Sequence, residues 1–248
     1  MYNLSYNDNG ITVHSKNTFV KLEFLFQPII ELKNKEVKYL EVLSRVLNDS
    51  GEIYQSETFF PDMDDDFIKI VALAQIKFCG ANKINTPVTI NLTLSCLKDT
   101  AFLCNIVGIK DVVFNIEVTE LNTDVNCRQL QANIIFLKRY GIELLLDDYY
   151  HKNNEANLSL GFIDWDYIKI DKLFLYHNYE DSKSLTYLLS VISPYSKKGL
   201  ILEGVETACQ HDIVKKLNTL VQGYFYSYPM NLKQLSKKLQ VTKKIQHV

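Results

Sequence analysis

Carboxylate and carboxamide side chains recur along this sequence at the ends of short apolar runs. The residues in these positions are Glu41, Asn91, Glu117, Glu120, Asp147, Asp148, Glu203, Glu206 and Gln222. Crowded carboxylates raise each other's pKa values unless a cation lies among them. An oxygen-rich set without Cys or His suits hard ions such as Mg²⁺ or Mn²⁺. Two adjacent acids can both take part if two ions lie roughly 4 Å apart. Asp147 and Asp148 form such a pair.

Each of these residues also has a simpler interpretation. A lone acid at a strand end is more often a helix N-cap or a surface charge than a metal ligand. Lys169, taken alone, is typical of a solvated or ion-paired lysine. The repetition over seven strand ends favours one shared site, because scattered caps would not recur at almost every strand.

Short β-rich segments alternate with helical patterns, which predicts βα units around a parallel sheet. The predicted strands are Phe24–Ile30, Val37–Leu43, Val88–Leu92, Val112–Val118, Ile142–Leu146, Tyr167–Ile170, Leu200–Leu202 and Leu220–Tyr224. Eight strands in about 200 residues indicate an α/β fold, a TIM-like (β/α)8 barrel. Only Glu31–Glu36 separates the first two strands, so we expect an antiparallel first strand. Active-site residues of such barrels lie at the C-terminal strand ends.

The helical patterns cover the segments between these strands. The polar residues from Asn122 to Asp124 begin one predicted helix and Gly141 ends it. A second predicted helix runs from Thr207 to Asn218, and the apolar segment Phe67–Phe78 predicts a third that covers the sheet.

The length, net charge and cysteine content of the chain restrict the class of protein. The chain has 248 residues and a net charge of -2, which argues against bulk nucleic-acid binding. Five scattered cysteines without Cys-x-x-Cys spacing suggest buried, reduced thiols. Neither a signal peptide nor a membrane span is predicted, so we expect a cytoplasmic protein. The simplest organisation is an N-terminal appendage over residues 1–20 and one barrel domain over 21–248.

Seven motifs occur in order between about Phe24 and Pro229. They are Glu41-Val42-Leu43-Ser44-Arg45, Asn91-Leu92-Thr93, Glu117-Val118-Thr119-Glu120, Asp147-Asp148, Lys169-Ile170-Asp171, Glu203-Gly204-Val205-Glu206-Thr207 and Gln222-Gly223-Tyr224. Their order and spacing resemble the EAL domain, a family of bacterial phosphodiesterases that act on cyclic di-GMP. The name-giving triplet here reads Glu-Val-Leu.

The resemblance implies a role for each matching residue. Two Mg²⁺ or Mn²⁺ ions would be held by Glu41, Asn91, Glu117, Asp147 and Asp148. The positions matching catalytic residues are Lys169, Glu203 and Glu206, and those matching substrate-binding residues are Gln27, Arg45 and Gln222. Glu120 matches a residue that anchors the loop after the Asp pair. The implied activity is metal-dependent hydrolysis of cyclic di-GMP to linear pGpG, and the implied partner is a second copy bound through the barrel face.

Two departures from the family pattern leave alternatives open. The family continues after its Asp pair with Phe-Gly-x-Gly-Tyr-Ser-Ser, whereas residues 149–157 here contain no glycine. Glycine permits positive φ angles, which Asn153 and Asn154 would tolerate better than most residues. Val46 replaces the usual Trp after Arg45. The chain is therefore either an active phosphodiesterase or a catalytically weak EAL-type module that binds cyclic di-GMP or a protein partner. Hydrolysis of another phosphodiester is a third, less favoured reading.

Overall fold

The computed structural model describes residues 2–15, 19–150, 152–178 and 182–245. The strands of this part of the chain are β1 (Asn3–Asn7), β2 (Gly10–His14), β3 (Phe19–Glu31), β4 (Glu36–Leu47), β5 (Ile53–Tyr54), β6 (Val88–Thr93), β7 (Phe114–Glu120), β8 (Leu144–Tyr149), β9 (Trp165–Ile170), β10 (Ser196–Leu202) and β11 (Leu220–Val221). They form a single sheet in the order β1-β2-β3-β11-β10-β9-β8-β7-β6-β4-β5, and an added β3–β4 pairing closes it.

The closure makes an eight-stranded barrel of β3, β4 and β6 to β11. Six of the neighbouring pairs are parallel, whereas β3 runs antiparallel to both β4 and β11. The link between β3 and β4 is a turn of four residues, 32–35, which is too short for a helical crossover. The predicted TIM-like barrel with an antiparallel first strand is therefore confirmed.

The helices lie between the barrel strands or after the last of them. They are α1 (Ser56–Phe59), α2 (Asp65–Ala81), α3 (Thr100–Val107), α4 (Arg128–Arg139), α5 (Asn154–Ser159), α6 (Lys172–Asn178), α7 (Ser182–Ile192), α8 (Ala208–Val214) and α9 (Leu232–Ile245). The helix predicted from Asn122 begins later, at Arg128, and ends just before Gly141, whose φ of 76° stops it. None of the helices in the described ranges combines the length and hydropathy that a membrane crossing requires.

The last barrel strand is shorter than its apolar run predicts. It ends at Val221, because the chain turns at Gly223, where the amide of Tyr226 donates to the Gly223 carbonyl. A Cβ on Gly223 would lie 2.2 Å from the carbonyl oxygen of Val205. Only glycine can bring these two backbone segments so close.

The first residues form a hairpin that the sequence patterns do not predict. β1 and β2 pair antiparallel around the turn Asp8–Asn9, and β2 continues the sheet beside β3. Ile11 and Val13 are fully buried. The hairpin thus extends the barrel sheet outward past β3 and shares its core.

The cysteines are all free, but they differ in exposure. Cys79 and Cys96 are buried, which agrees with the expectation from the sequence, whereas Cys104 and Cys209 are exposed and Cys127 is half-buried. The exposed pair lie on α3 and α8, where their helix faces turn to solvent.

Candidate metal and phosphodiester site

Each barrel strand carries one polar side chain at the same end of the barrel, or is followed directly by a residue with such a side chain. In chain order these residues, which we call the polar layer, are Gln27, Glu41, Asn91, Glu117, Asp147, Lys169, Glu203 and Gln222. Successive residues of a strand point to opposite faces, so residues two apart point the same way. Two positions away from most members lies a residue of an apolar cluster, Ile29, Tyr39, Leu145, Tyr167, Ile201 and Leu220. The polar layer therefore covers an apolar plug inside the barrel.

Lys169 is the centre of the polar layer. Its side chain is only 1% exposed, and its Nζ lies 2.7 Å from Glu117 Oε2, 2.8 Å from Asp147 Oδ1, 2.9 Å from Glu203 Oε1 and 3.4 Å from Glu41 Oε2. Glu41, Glu117 and Asp147 lie on β4, β7 and β8, and Glu203 directly follows β10. One buried cation thus draws four carboxylates, far apart in sequence, into a single cluster.

Two amides complete the surroundings of Glu41. Gln222 donates from Nε2 to Glu41 Oε2 at 2.6 Å, and Asn91 donates from Nδ2 to Glu41 Oε1 at 3.3 Å. Both carboxylate oxygens of Glu41 are therefore held by neighbours in the layer. Charge-assisted hydrogen bonds of this kind fix the orientation of a carboxylate.

The electrostatics of the cluster follow from burial and from the excess of acids over cations. Burial disfavours the charged form of Lys169, but the neighbouring carboxylates outweigh it and raise the lysine pKa well above its usual range. Burial and the charge of Glu41 raise the pKa of Glu117 to about 8, although Lys169 opposes this. Burial likewise raises the pKa of Asp147 to about 6. When all four acids are ionised, they carry more negative charge than Lys169 alone can balance, which adds to burial in raising the pKa values of Glu117 and Asp147.

A bulge in β8 brings two successive acids to the same place. The pairing of β8 with β9 shifts register between Leu146 and Tyr149, and Asp148 has a φ of 47°, in the left-handed region. A bulge re-aims side chains in this way, and Asp tolerates the left-handed conformation better than most residues. Ligand oxygens of Asp147, Asp148 and Glu203 consequently lie within 4.8 Å of one another.

The donor set fits hard divalent cations. Among the described residues, Asn91 Oδ1, Glu117 Oε1 and Gln222 Oε1 are buried oxygens without a hydrogen-bond partner. Buried polar atoms are normally paired, so orphaned oxygens beside crowded carboxylates are what an oxygen-ligated ion would satisfy. The acidic group of Asp147, Asp148 and Glu203 can hold such an ion.

Four of the residues singled out from the sequence lie at the edge of the layer or outside it. Gln27 is in the layer but donates to the carbonyl of Ser227 at 3.3 Å. The Arg45 side chain is 41% exposed and lies 3.5 Å from Glu23. Glu206 is exposed, and no ion pair in the described ranges joins it to the layer. Glu120 is half-buried at the end of β7 and is not among the carboxylates that pair with Lys169.

The loop after the Asp pair has a defined structure of its own. Asn153 has a φ of -82° and caps α5 by accepting from the amide of Ala156, so it does not use the left-handed conformation that an asparagine tolerates. The positive φ is at Asp148 instead. Tyr149 donates to Asn157 Oδ1 at 2.7 Å, which ties the end of β8 to α5. His151 lies outside the described residues.

Val46 and Asp171, two positions that are not members of the polar layer, are both held by the fold. Val46 is fully buried in the hydrophobic core, so this position does not line the mouth of the barrel. The backbone amide of Asp171 donates to the Tyr149 carbonyl at 3.1 Å and joins the end of β9 to the start of the loop. Only strand pairing in three dimensions reveals this link.

Comparison with known proteins identifies the family. The sequence model of the EAL domain matches residues 15–229, which is most of the chain. The chain belongs to the EAL domain family. The match begins at residue 15, directly after β2. The β1–β2 hairpin therefore lies outside the region that matches the family model.

Individual proteins are similar to this chain in sequence or in fold. The chain is 25% identical over 241 residues to the cyclic di-GMP phosphodiesterase NbdA of Pseudomonas aeruginosa, a match that covers 89% of this chain and 30% of NbdA. The structure of the EAL enzyme Bd1971 with cAMP and cyclic di-GMP matches with a TM-score of 0.73 and 20% identity, over 87% of this chain and 64% of that one. Klebsiella pneumoniae BlrP1 with manganese and cyclic di-GMP matches with a TM-score of 0.66 and 20% identity, over 93% and 59%. The chain thus spans about a third of NbdA and under two thirds of either solved structure.

Proposed function

We propose that this EAL domain binds cyclic di-GMP over the polar layer and hydrolyses one of its phosphodiester bonds to give linear pGpG, with two Mg²⁺ or Mn²⁺ ions. The observation that carries the proposal is the gathering of Glu41, Glu117, Asp147 and Glu203 around Lys169 at one end of the barrel. The orphaned oxygens of the layer support bound cations. NbdA, Bd1971 and BlrP1 support cyclic di-GMP as the ligand.

The proposed ligands of the ions are Glu41, Asn91, Glu117, Asp147 and Asp148. When bound, divalent ions supply positive charge to the phosphate oxygens and lower the pKa of the attacking water. Asn91 and Gln222 hold Glu41 in its orientation. In this proposal Gln222 and Gln27 also border the substrate, and Arg45 turns from Glu23 toward a phosphate.

The chemical step is an in-line displacement at phosphorus. The water oxygen bonds to phosphorus as the bond to the 3′ oxygen breaks, the water proton passes to a carboxylate, and the leaving 3′ oxygen takes a proton from solvent to become a hydroxyl. Glu203 is the proposed acceptor, because its carboxylate lies 2.9 Å from Lys169 and within 4.8 Å of the ligand oxygens of Asp147 and Asp148, where bound cations would keep it ionised. Lys169 keeps Glu203 in place at 2.9 Å and places positive charge beside the site where negative charge develops.

The test is an incubation with cyclic di-GMP and either Mg²⁺ or Mn²⁺, followed by chromatographic detection of the linear product. We expect turnover by the unaltered chain and none by Glu41→Ala. Glu36→Ala is the matched control, because Glu36 is an exposed glutamate at the start of the same strand, β4. Loss of turnover in both variants, or in neither, would contradict the assignment of Glu41.

The structure of the loop after Asp148 also supports a second candidate function, binding of cyclic di-GMP without hydrolysis, and the same experiment tests it. Residues 153–159 form a cap and helix without glycine. A loop that positions the ions differently would leave a module that binds cyclic di-GMP without cleaving it. Tight binding of cyclic di-GMP with no product under either metal would establish this alternative. If neither binding nor turnover occurs, both readings fail and a protein partner becomes the ligand to seek.

A further inference from the structure

The barrel sheet has two free ends within the described residues. One is β5, with only Ile53 and Tyr54, and the other is β1, with the five residues Asn3–Asn7. A free edge strand presents unpaired backbone groups to other chains, and proteins protect such edges by making them short, charged or proline-containing. β5 is protected because it is only two residues long. β1 has no charged residue and no proline.

The β1 edge is held firmly in an extended form. β1 pairs with β2 along all five of its residues, and Ile11 and Val13 of β2 are fully buried. Tyr2 packs edge-on against Phe67 of α2, with ring centroids 5.4 Å apart, and donates to Asp64. A strand that is already ordered loses little conformational entropy when it pairs with another strand.

The backbone groups of two residues point away from the protein. The turn Asp8–Asn9 contains two residues, so Asn7 and Gly10 form the hydrogen-bonded pair that closes the hairpin. Hydrogen-bonded and non-hydrogen-bonded pairs alternate along such a ladder. Leu4 and Tyr6 therefore direct their N–H and C=O groups outward, where no strand of the described chain pairs with them.

The sequence of β1 matches itself when a second copy runs antiparallel to it. With Ser5 opposite Ser5 of the second copy, Asn3 lies opposite Asn7 and Leu4 opposite Tyr6. The outward groups of Leu4 and Tyr6 then face each other as hydrogen-bonded pairs. Aliphatic–aromatic cross-strand pairs are favourable and no like charges meet. Tyr6 is 53% exposed and Leu4 half-buried, so the tyrosine ring of one copy can cover the leucine of the other.

We propose that β1 is a self-association edge, which pairs antiparallel with β1 of a second copy about a twofold axis at Ser5. The pairing joins two barrel sheets into one continuous sheet. The hairpin lies outside the matched EAL region, so the contact belongs to this chain and differs from an interface through residues 149–157. Five residues bury less than the roughly 1,200 Å² of a stable interface, so the association is weak and depends on concentration.

Disulfide trapping tests the register. In a background with Cys104, Cys127 and Cys209 changed to Ser, Ser5→Cys meets itself across the axis, at a Cβ separation of about 4.5–5.5 Å. We expect Ser5→Cys to form a covalent dimer under mild oxidation. Neither Asn3→Cys nor Asn7→Cys should link to itself, whereas an equal mixture of these two variants should link. Efficient self-linking of Asn3→Cys, or no linking of Ser5→Cys, would overturn the proposal.

Sedimentation equilibrium tests the association without cross-linking. The unaltered chain should show a monomer–dimer equilibrium that Ser5→Lys weakens at least tenfold, because two lysines would face each other. Ile53→Lys is the matched control, since Ile53 is 69% exposed on the other free edge, β5, and this change should leave the equilibrium unaltered. A chain that stays monomeric at its highest soluble concentration, or a dimer that survives Ser5→Lys, would refute the β1 contact.

Discussion

At the scale of single residues, Lys169 dominates the energetics of the site. Its ammonium group lies within 3.4 Å of four carboxylates and is almost inaccessible to water. A buried charge is tolerated only when it is paired. The acids therefore depend on the lysine in the metal-free protein, and the lysine depends on the acids.

Replacement of Lys169 by Met should expose this dependence. Removal of one partner of a buried ion pair costs about 3–5 kcal/mol, because the remaining charge is left uncompensated. We expect Lys169→Met to lower the melting temperature in the absence of metal and to recover more stability from Mn²⁺ than the unaltered chain does. Calorimetry with and without Mn²⁺ measures both effects. Equal responses of the two proteins to Mn²⁺ would show that Lys169 does not balance the cluster.

The two glutamates of Glu203-Gly204-Val205-Glu206 should differ in their effect on turnover. Glu203 is in the polar layer, whereas Glu206 is exposed and outside it. A group that transfers a proton in the transition state contributes about 10²–10⁴-fold. We expect Glu203→Gln to lower kcat by that amount and Glu206→Gln to have a smaller effect. Equal losses of kcat would place Glu206 at the reacting phosphate and contradict the distinction.

At the scale of elements, the β8 bulge and the α5 cap determine the geometry around Asp147 and Asp148. The bulge gives Asp148 its φ of 47°, and α5 begins five residues after this strand ends. The bond from Tyr149 to Asn157 joins the two elements. The loop therefore orders itself through a helix cap, although it lacks the glycines of the family.

The cap residue offers a test of this loop. Loss of an N-cap side chain costs about 1 kcal/mol. We expect Asn153→Ala to destabilise α5 by that amount and to lower turnover more than it lowers affinity for cyclic di-GMP, because α5 supports the strand that carries the Asp pair. Asn154→Ala, an exposed neighbour at the first helical position, is the control. Unchanged kcat in Asn153→Ala would show that α5 does not position the Asp pair.

At the scale of the whole molecule, ionisation of the polar layer is coupled to global unfolding, since every barrel strand carries one of its residues or directly precedes one. The pKa of Glu117 is about 8 in the folded protein, whereas an unperturbed glutamate has a value near 4.3. Between these values the unfolded chain has lost the proton that the folded chain retains. A rise in pH therefore favours unfolding over this window.

The metal-free protein should accordingly lose stability from Glu117 as the pH rises from about 4 to about 8. Bound divalent ions keep the carboxylates ionised and should remove this decline. Urea unfolding at several pH values, with EDTA or with Mn²⁺, measures it, and Glu117→Gln should show a flatter metal-free profile. A Glu117→Gln profile parallel to that of the unaltered chain would contradict a raised pKa at this residue.

The sequence by itself determined the barrel class and nearly all the members of the polar layer. Apolar runs locate strands, and a strand alternates its faces with a period of two, so Leu145 and Asp147 or Tyr167 and Lys169 already indicate a polar level above an apolar one. This rule is local and needs no knowledge of the partner strands. The EAL motifs add the order of the ligands, and the match over residues 15–229 confirms the family.

Only the tertiary structure decided how far each residue reaches into the site. Glu206 and Arg45 stand beside motif residues in the sequence but turn to solvent or to Glu23, whereas Lys169 meets four acids from distant strands. The left-handed turn falls at Asp148 and not at Asn153, because the register of β8 against β9 sets it. The free edge of β1 exists because the β1–β2 hairpin extends the sheet beyond β3, outside the closed barrel. The surroundings of Lys169 and Asp148 depend on pairing between separate strands, which local residue preferences do not encode.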